Sequence, residues 1–207
     1  MTEEVAVLGG GGHAKVVIST LRAAGFTVSA VYDDADGSRG RHVLGVEVRG
    51  PLSAAVADGA RRAVIAIGSN EVRQQLATAP TLAGLEFVSV VHPHSYVDPS
   101  VRLGAGTVVF AGAVLQPECK VGQHVIVNTG ATVDHDSCLH DFSQVCPGAH
   151  LAGNVTLEEG VFIATGATLV PGVSVGAWST VGAGAAVLRD LPASVKALGV
   201  PARPRES

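Results

Sequence analysis

From Val97 onward the chain repeats itself every six residues. The series Val97, Leu103, Val109, Leu115, Val121, Val127, Val133, Leu139, Val145, Leu151, Leu157, Ile163, Leu169, Val175, Val181 and Val187 is aliphatic at all sixteen positions, with no break in phase. The position four further on is as restricted. Val101, Thr107, Ala113, Cys119, Val125, Ala131, Ser137, Ser143, Ala149, Val155, Val161, Ala167, Val173, Ser179 and Ala185 are all small or β-branched. One large and one small inward residue per hexad is the signature of a parallel β-helix. Three hexads make one triangular coil, so residues 18 apart stack above one another, and the repeat gives about five coils. Gly104, Gly106, Gly112, Gly122, Gly130, Gly148, Gly160, Gly166, Gly172, Gly176, Gly182 and Gly184 are expected at corners, where a positive φ favours glycine.

The first half has a different rhythm. Residues 5–8 read as a strand, 13–24 as a helix, and 28–32 as a second strand ending in Asp33 and Asp34. A short helix over 51–58, a strand over 63–67, a helix over 70–77 and a strand over 87–91 follow. This alternation predicts a small Rossmann-like α/β domain with a parallel sheet. The segment HPHSYVDPS, residues 92–100, carries two prolines and makes the natural join. The expected organisation is an α/β domain over 1–92 and a β-helix domain over 93–207, with repeats over about 97–190 and a short C-terminal tail.

Composition narrows the picture. The chain is 47% hydrophobic and 15% charged, so a packed core is expected, and with only 4% aromatics that core must be filled by Val, Ala, Leu and Ile. A net charge of −4 without a basic cluster argues against nucleic acid as a partner. The start, MTEEVAV, does not read as a signal peptide, and no apolar run reaches the length of a membrane span. A cytoplasmic location is therefore expected. Cys119, Cys138 and Cys146 form no CxxC pair, and they read as small buried apolar residues in a reducing compartment.

Stacking places the first candidate chemistry. One column of the β-helix reads Pro99, Pro117, His135, Gly153, Pro171, Arg189. His135 then has Gly153 directly over it, one coil along. A histidine beside a bare backbone N–H offers a base and an oxyanion donor, the pair that acyl transfer needs. Asp136 follows at once and can orient the imidazole or raise its basicity. The competing reading is a polar corner of a solvated coil.

The second candidate is LGGGGHAKVV, residues 8–17. Gly9-x-Gly11-x-x-Ala14 fits the dinucleotide fingerprint, and Asp33 follows a strand at the expected distance. Two features argue against NAD. The α/β region is about half of a two-part dinucleotide fold, and no second dehydrogenase domain follows it. Backbone N–H groups and a helix N-terminus serve a single nucleotide diphosphate equally well. On that reading Gly10, Gly11, Gly12 and His13 meet the phosphates or sugar, Asp33 and Asp34 read the base or ribose, and Asn70 and Arg73 lie nearby. The competing reading of Arg73 is a solvated helix face.

Residues 128–155, NTGATVDHDSCLHDFSQVCPGAHLAGNV, resemble the active-site segment of the bacterial nucleotide-sugar N-acetyltransferases of the PglD, PerB and NeuD kind. GGGGHAKVV and IGSNEVR resemble the same family's sugar-nucleotide domain, and GVPARP, residues 199–204, resembles the end of many hexapeptide acyltransferases. The resemblance covers nearly the whole chain. It implies a left-handed β-helix, acetyl-CoA as cosubstrate, no metal, and transfer of acetyl to the amine of a nucleotide-linked sugar, commonly a 4-amino-4,6-dideoxyhexose. It also implies a homotrimer with sites between subunits, where His13 of one chain approaches His135 of the next.

Residue by residue, the resemblance makes His135 the general base, Asp136 its carboxylate neighbour, and Asn128 a contact near the sugar. Gly153 becomes the amide facing the thioester, and Thr165 and Ala183 mark the track of the CoA arm. At Gln144 some members carry a histidine that helps hold the acetyl group. Glutamine can donate a hydrogen bond there but cannot act as an acid or base. Three rival readings remain. A γ-type carbonic anhydrase is suggested by His135 and His140, five apart, but Pro99 stands where a third ligand is expected. An NAD oxidoreductase would bind nicotinamide. A non-catalytic nucleotide-sugar binder would show no CoA turnover.

Overall fold

A computed structural model describes residues 3–205. They divide into two compact units between His92 and Pro93.

In the first unit, β1 (Glu4–Leu8), α1 (Gly12–Ala23), β2 (Thr27–Tyr32), β3 (His42–Val43), β4 (Val46–Gly50), β5 (Arg62–Ile65), α2 (Asn70–Ala77) and β6 (Glu86–Phe87) follow in order. The sheet runs β3-β4-β2-β1-β5-β6. It is parallel from β4 to β6, and β3 alone pairs antiparallel. The apolar run Val5–Leu8 is buried on both faces, as a central parallel strand should be. The apolar stripe of α1, Ala14, Val17, Ile18 and Leu21, is buried. The helix expected over 51–58 shrinks to a 3-10 turn, Leu52–Ala54, whose first amide is held by Asp34 Oδ1 at 2.8 Å. The last expected strand is two short ones, Glu86–Phe87 and Val90–Val91.

The second unit is a left-handed parallel β-helix. Its strands from Tyr96–Val97 to Ala186–Val187 are two residues long and stack at a spacing of 18 residues. One face stacks Tyr96–Val97, Val114–Leu115, Thr132–Val133, His150–Leu151, Thr168–Leu169 and Ala186–Val187. A second stacks Arg102–Leu103, Lys120–Val121, Cys138–Leu139, Thr156–Leu157 and Ser174–Val175. The third runs from Val108–Val109 to Lys196–Leu198, where the hairpin strand Arg203–Arg205 caps it. The hexad aliphatics from Val109 to Val187 are all buried, and only the first two, Val97 and Leu103, are half-exposed. Each such side chain contributes about 1.5–3 kcal/mol of transfer free energy.

The small inward position is buried too, and where it is Ser or Thr its hydroxyl stitches adjacent coils. Thr107 Oγ1 donates to Gly122 O at 2.7 Å and accepts from Val125 N at 3.1 Å. Ser137 and Ser179 repeat this arrangement. A buried hydroxyl is tolerable only when paired in this way.

The corners correct one expectation. Positive φ recurs every sixth residue from Gly106 through Gly184, and the series includes Glu118, His124, Asp136, Phe142, Asn154 and Trp178. Gly104, Gly122, Gly176 and Gly182 do not belong to it. They are glycines because the next coil leaves no room. A Cβ on Gly104 would lie 2.5 Å from the Gly122 carbonyl carbon, and one on Gly176 would lie 2.4 Å from Ala193 N. Cys119 and Cys146 are buried as expected, but Cys138 is only half-buried.

Candidate active site

His135 projects from the corner between the first and second faces. Its backbone N–H donates to Asp134 Oδ1 at 2.8 Å, and its ring Nδ1 lies 2.7 Å from Asp136 Oδ2. Asp136 occupies the left-handed corner, φ 58°, so it pairs with the ring of the residue just before it. The hydrogen-bond network assigns the ring proton to Nδ1, leaving the Nε2 lone pair for a substrate. The Asp136 hydrogen bond raises the imidazole pKa above its ordinary value, and the nearby Asp134 charge adds to this. The imidazole is exposed, with its partner carboxylate beside it.

The ring rests on Gly153. A Cβ there would sit 2.6 Å from His135 Cε1 and 2.7 Å from Nε2, so only glycine fits against it. Asn154 N–H donates to His135 O at 2.8 Å, fixing the two coils in register. Asn128 lies on the next corner back and uses its Oδ1 to accept from Thr129 N at 2.8 Å. Thr165 and Ala183 are exposed on that same corner column, joined through Gly184 N–H to Thr165 O at 2.9 Å. Gln144 is buried on the third face. Its Nε2 donates to Cys146 Sγ at 3.4 Å, and its Oε1 is buried without a hydrogen-bond partner among the described residues.

His140, suggested above as a metal ligand, has its Nε2 3.9 Å from Glu158 Oε2. Among the described residues no three His, Cys, Asp or Glu side chains gather to hold a metal. Among them, too, no helix is long and apolar enough to cross a membrane.

In the α/β unit the glycine loop joins β1 to α1. Gly9 has φ 110°, and a Cβ there would press on Ile67 at 2.8 Å. Gly11 and Gly12 have open space where a Cβ would stand, and among the described residues no side chain caps α1. Its first-turn amides therefore face a cavity of about 370 Å³ lined by Gly10, Gly11, Gly12, Lys15, Arg41, His42 and Val43. The sequence reading missed Lys15, Arg41 and His42. Lys15 stands in the glycine stretch itself, whereas Arg41 and His42 enter through a turn with no motif.

Asp33 is tied to the glycine loop and also lines an open cleft with Asp34. Its Oδ2 accepts from Gly10 N–H, and its Oδ1 accepts from Ala35 N at 2.7 Å. Asp34 braces Leu52. Asp33 thus braces the glycine loop, and Asp34 the turn at Leu52. Arg73 is not on a solvated face. It is 1% exposed, with Nη1 donating to Ile67 O at 3.2 Å and Nη2 to Asn70 Oδ1 at 2.8 Å. His13 is mostly buried near it. Burial first, and the Arg73 charge second, lower its pKa to about 4, so it is neutral at physiological pH.

A left-handed β-helix whose corner histidine lies on a glycine, paired with a glycine-loop α/β unit, defines a hexapeptide-repeat acyltransferase. The comparisons with known proteins agree. Residues 4–79 match the PglD N-terminal domain family. The chain is 43% identical to perosamine N-acetyltransferase from Caulobacter crescentus, crystallised as a histidine variant with CoA and GDP-perosamine, with a TM-score of 0.93 over 100% of this chain and 99% of that one. It is 36% identical to the acetyltransferase domain of PglB from Neisseria gonorrhoeae FA1090, solved with acetyl coenzyme A, with a TM-score of 0.93 over 99% and 100% of the two chains. It is also 27% identical over 144 residues to GDP-perosamine N-acetyltransferase of Escherichia coli O157:H7; the match covers 67% of this chain and 65% of that relative's length. The chain belongs to the nucleotide-sugar N-acetyltransferase family of the PglD and PerB kind.

Proposed function

We propose that this protein transfers acetyl from acetyl-CoA to the amine of a nucleotide-linked 4-amino-4,6-dideoxyhexose, with His135 as general base. The observation that carries the reading is the His135 imidazole lying on Gly153 with Nδ1 held by Asp136. The sugar amine attacks the thioester carbonyl carbon as its proton passes to His135 Nε2. The tetrahedral oxyanion is met by the Gly153 N–H, a donor with no partner among the described residues. The carbon–sulfur bond then breaks, the proton moves from His135 to the departing sulfur, and CoA and the N-acetyl sugar leave. Asp136 keeps the imidazole in the productive tautomer and stabilises its charged form.

In this reading residues 1–92 hold the nucleotide sugar and residues 93–207 hold acetyl-CoA. The CoA arm tracks the Thr165 and Ala183 column, Gln144 lies at the acetyl end and Asn128 near the sugar. His13, neutral and mostly buried, meets the sugar or phosphates without competing for their charge. Asn70 and Arg73 form its support. The family resemblance favours a homotrimer with sites shared between subunits, and a cytoplasmic location. The solved C. crescentus relative, 43% identical and complexed with GDP-perosamine, supports a GDP-linked sugar. The test is release of CoA thiol from acetyl-CoA with GDP-, UDP- and dTDP-linked 4-amino and 3-amino sugars. Turnover with a 4-amino substrate is expected. Nucleotide binding without turnover on any acceptor would overturn the reading in favour of a binding protein.

A further inference from the structure

The cavity beside the glycine loop carries cations that the glycine motif does not announce. Lys15 stands on the first turn of α1. Arg41 and His42 reach the cavity from the arm between β2 and β4. Among the described residues no carboxylate lines it. Arg41 is already placed, with Nη2 donating to Gly10 O at 3.3 Å. The arm that carries it is pinned at several points. Ser38 Oγ donates to Asp33 O at 3.0 Å, Arg41 N donates to Ser38 O at 3.0 Å, and Val48 N donates to Arg41 O at 2.7 Å. Asp33 ties the arm to the loop, since one carboxylate oxygen takes Gly10 N–H and the other takes Ala35 N–H. Guanidinium and loop are thus held in one frame before any ligand arrives.

We infer that Arg41 and Lys15 clamp the diphosphate of the nucleotide sugar and make the unit selective for nucleoside diphosphates over monophosphates. The inference rests on the reading that residues 1–92 hold the nucleotide sugar. Two phosphoryl groups present more charge and more acceptor oxygens than one. A planar guanidinium can bridge them with paired hydrogen bonds, and an ammonium adds a point charge from the helix side. The cavity, about 370 Å³, is within the range of small-ligand sites. Recognition then resides in the diphosphate, so the free nucleoside diphosphate competes with the sugar-linked form.

The test is equilibrium binding of GDP, GMP, UDP, UMP, dTDP and dTMP to the full-length protein, at low and physiological salt. Wild type is expected to prefer the diphosphate at least tenfold. Arg41→Ala and Lys15→Ala should each weaken diphosphate binding tenfold or more, barely change monophosphate binding, and flatten the salt dependence. Arg41→Lys should recover only part of the loss. Both side chains are exposed, so thermal stability should hold and serves as the folding control. A wild-type diphosphate preference in Arg41→Ala would overturn the clamp and leave the nucleotide reading intact. Failure of wild type to bind any of the six would overturn the nucleotide reading itself, and the clamp with it.

Discussion

Replacing Gly153 by alanine tests the site at the point where it is tightest. Carbon–carbon contacts settle near 3.5–4.0 Å, yet a Cβ at Gly153 would lie 2.6 Å from His135 Cε1. The imidazole must therefore withdraw by about 1 Å or rotate. Either motion stretches the 2.7 Å bond from Nδ1 to Asp136, and a bond so stretched leaves the hydrogen-bonding range. A displacement of that size at a reacting group costs on the order of 10²-fold in rate. The fold should be spared, because φ at Gly153 is not positive and the ring is the exposed far end of a side chain. The assay is steady-state acetyl transfer with a thermal melt alongside. The expected outcome is a kcat lowered about 10²-fold with an unchanged melting temperature. In a His135→Ala background the Gly153→Ala change should cost nothing further, since the two act through one contact. Wild-type kcat in the single variant, or a full additional loss in the double, would refute the reasoning.

Other consequences can be checked separately. Asp136→Asn removes the chief cause of the raised His135 pKa, so the acidic limb of the kcat–pH profile should move to lower pH while the plateau falls; an unmoved limb would detach Asp136 from the base. His13 is held down at about 4 in the folded chain, whereas the unfolded chain binds its proton near the ordinary value of about 6.5. Stability should therefore decline as pH falls through that window, by roughly 3 kcal/mol at most, and denaturant titrations of His13→Asn should lack that slope. Arg73→Met strands the Ile67 carbonyl and Asn70, with an expected loss of about 3 kcal/mol in the same titrations. Gly122→Ala would set a Cβ 2.7 Å from Asp141 N and should cost more than about 2 kcal/mol. Gly148→Ala, at φ 63° in open space, should cost only about 1 kcal/mol.

The β-helix was legible because its period is enforced at every coil. An inward position tolerates only an aliphatic or a small side chain, and two interleaved series carry that constraint without a break. The register followed from arithmetic, which is why His135 could be set beneath Gly153 before any coordinates. The corners were less legible. Glu118, His124, Phe142 and Trp178 hold left-handed corner positions that sequence rules reserve for Gly, Asn or Asp. Their place in the repeat, and not their own preference, determines their φ; His124 and Phe142, one coil apart, stack with ring centroids 5.5 Å apart. The hairpin of β3 and β4 was hidden for a related reason. Its turn uses Leu44 at φ 47° beside Gly45, and leucine there gives no turn signal. The burial of Arg73 was not legible, because a polar helix over NEVR suits a solvated face as well as a ligand site. Its burial depends on the Ile67 carbonyl and the Asn70 side chain, contacts that periodicity does not reveal.

The most direct test of the central claim compares His135→Ala with wild type on the best nucleotide amino sugar, with CoA affinity measured in parallel. A base that acts in the transition state should be missed in kcat and not in binding. The account predicts a kcat lowered by about 10²-fold or more, with CoA affinity unchanged. An undiminished kcat would contradict it and leave the imidazole on Gly153 as a surface ornament of the coil.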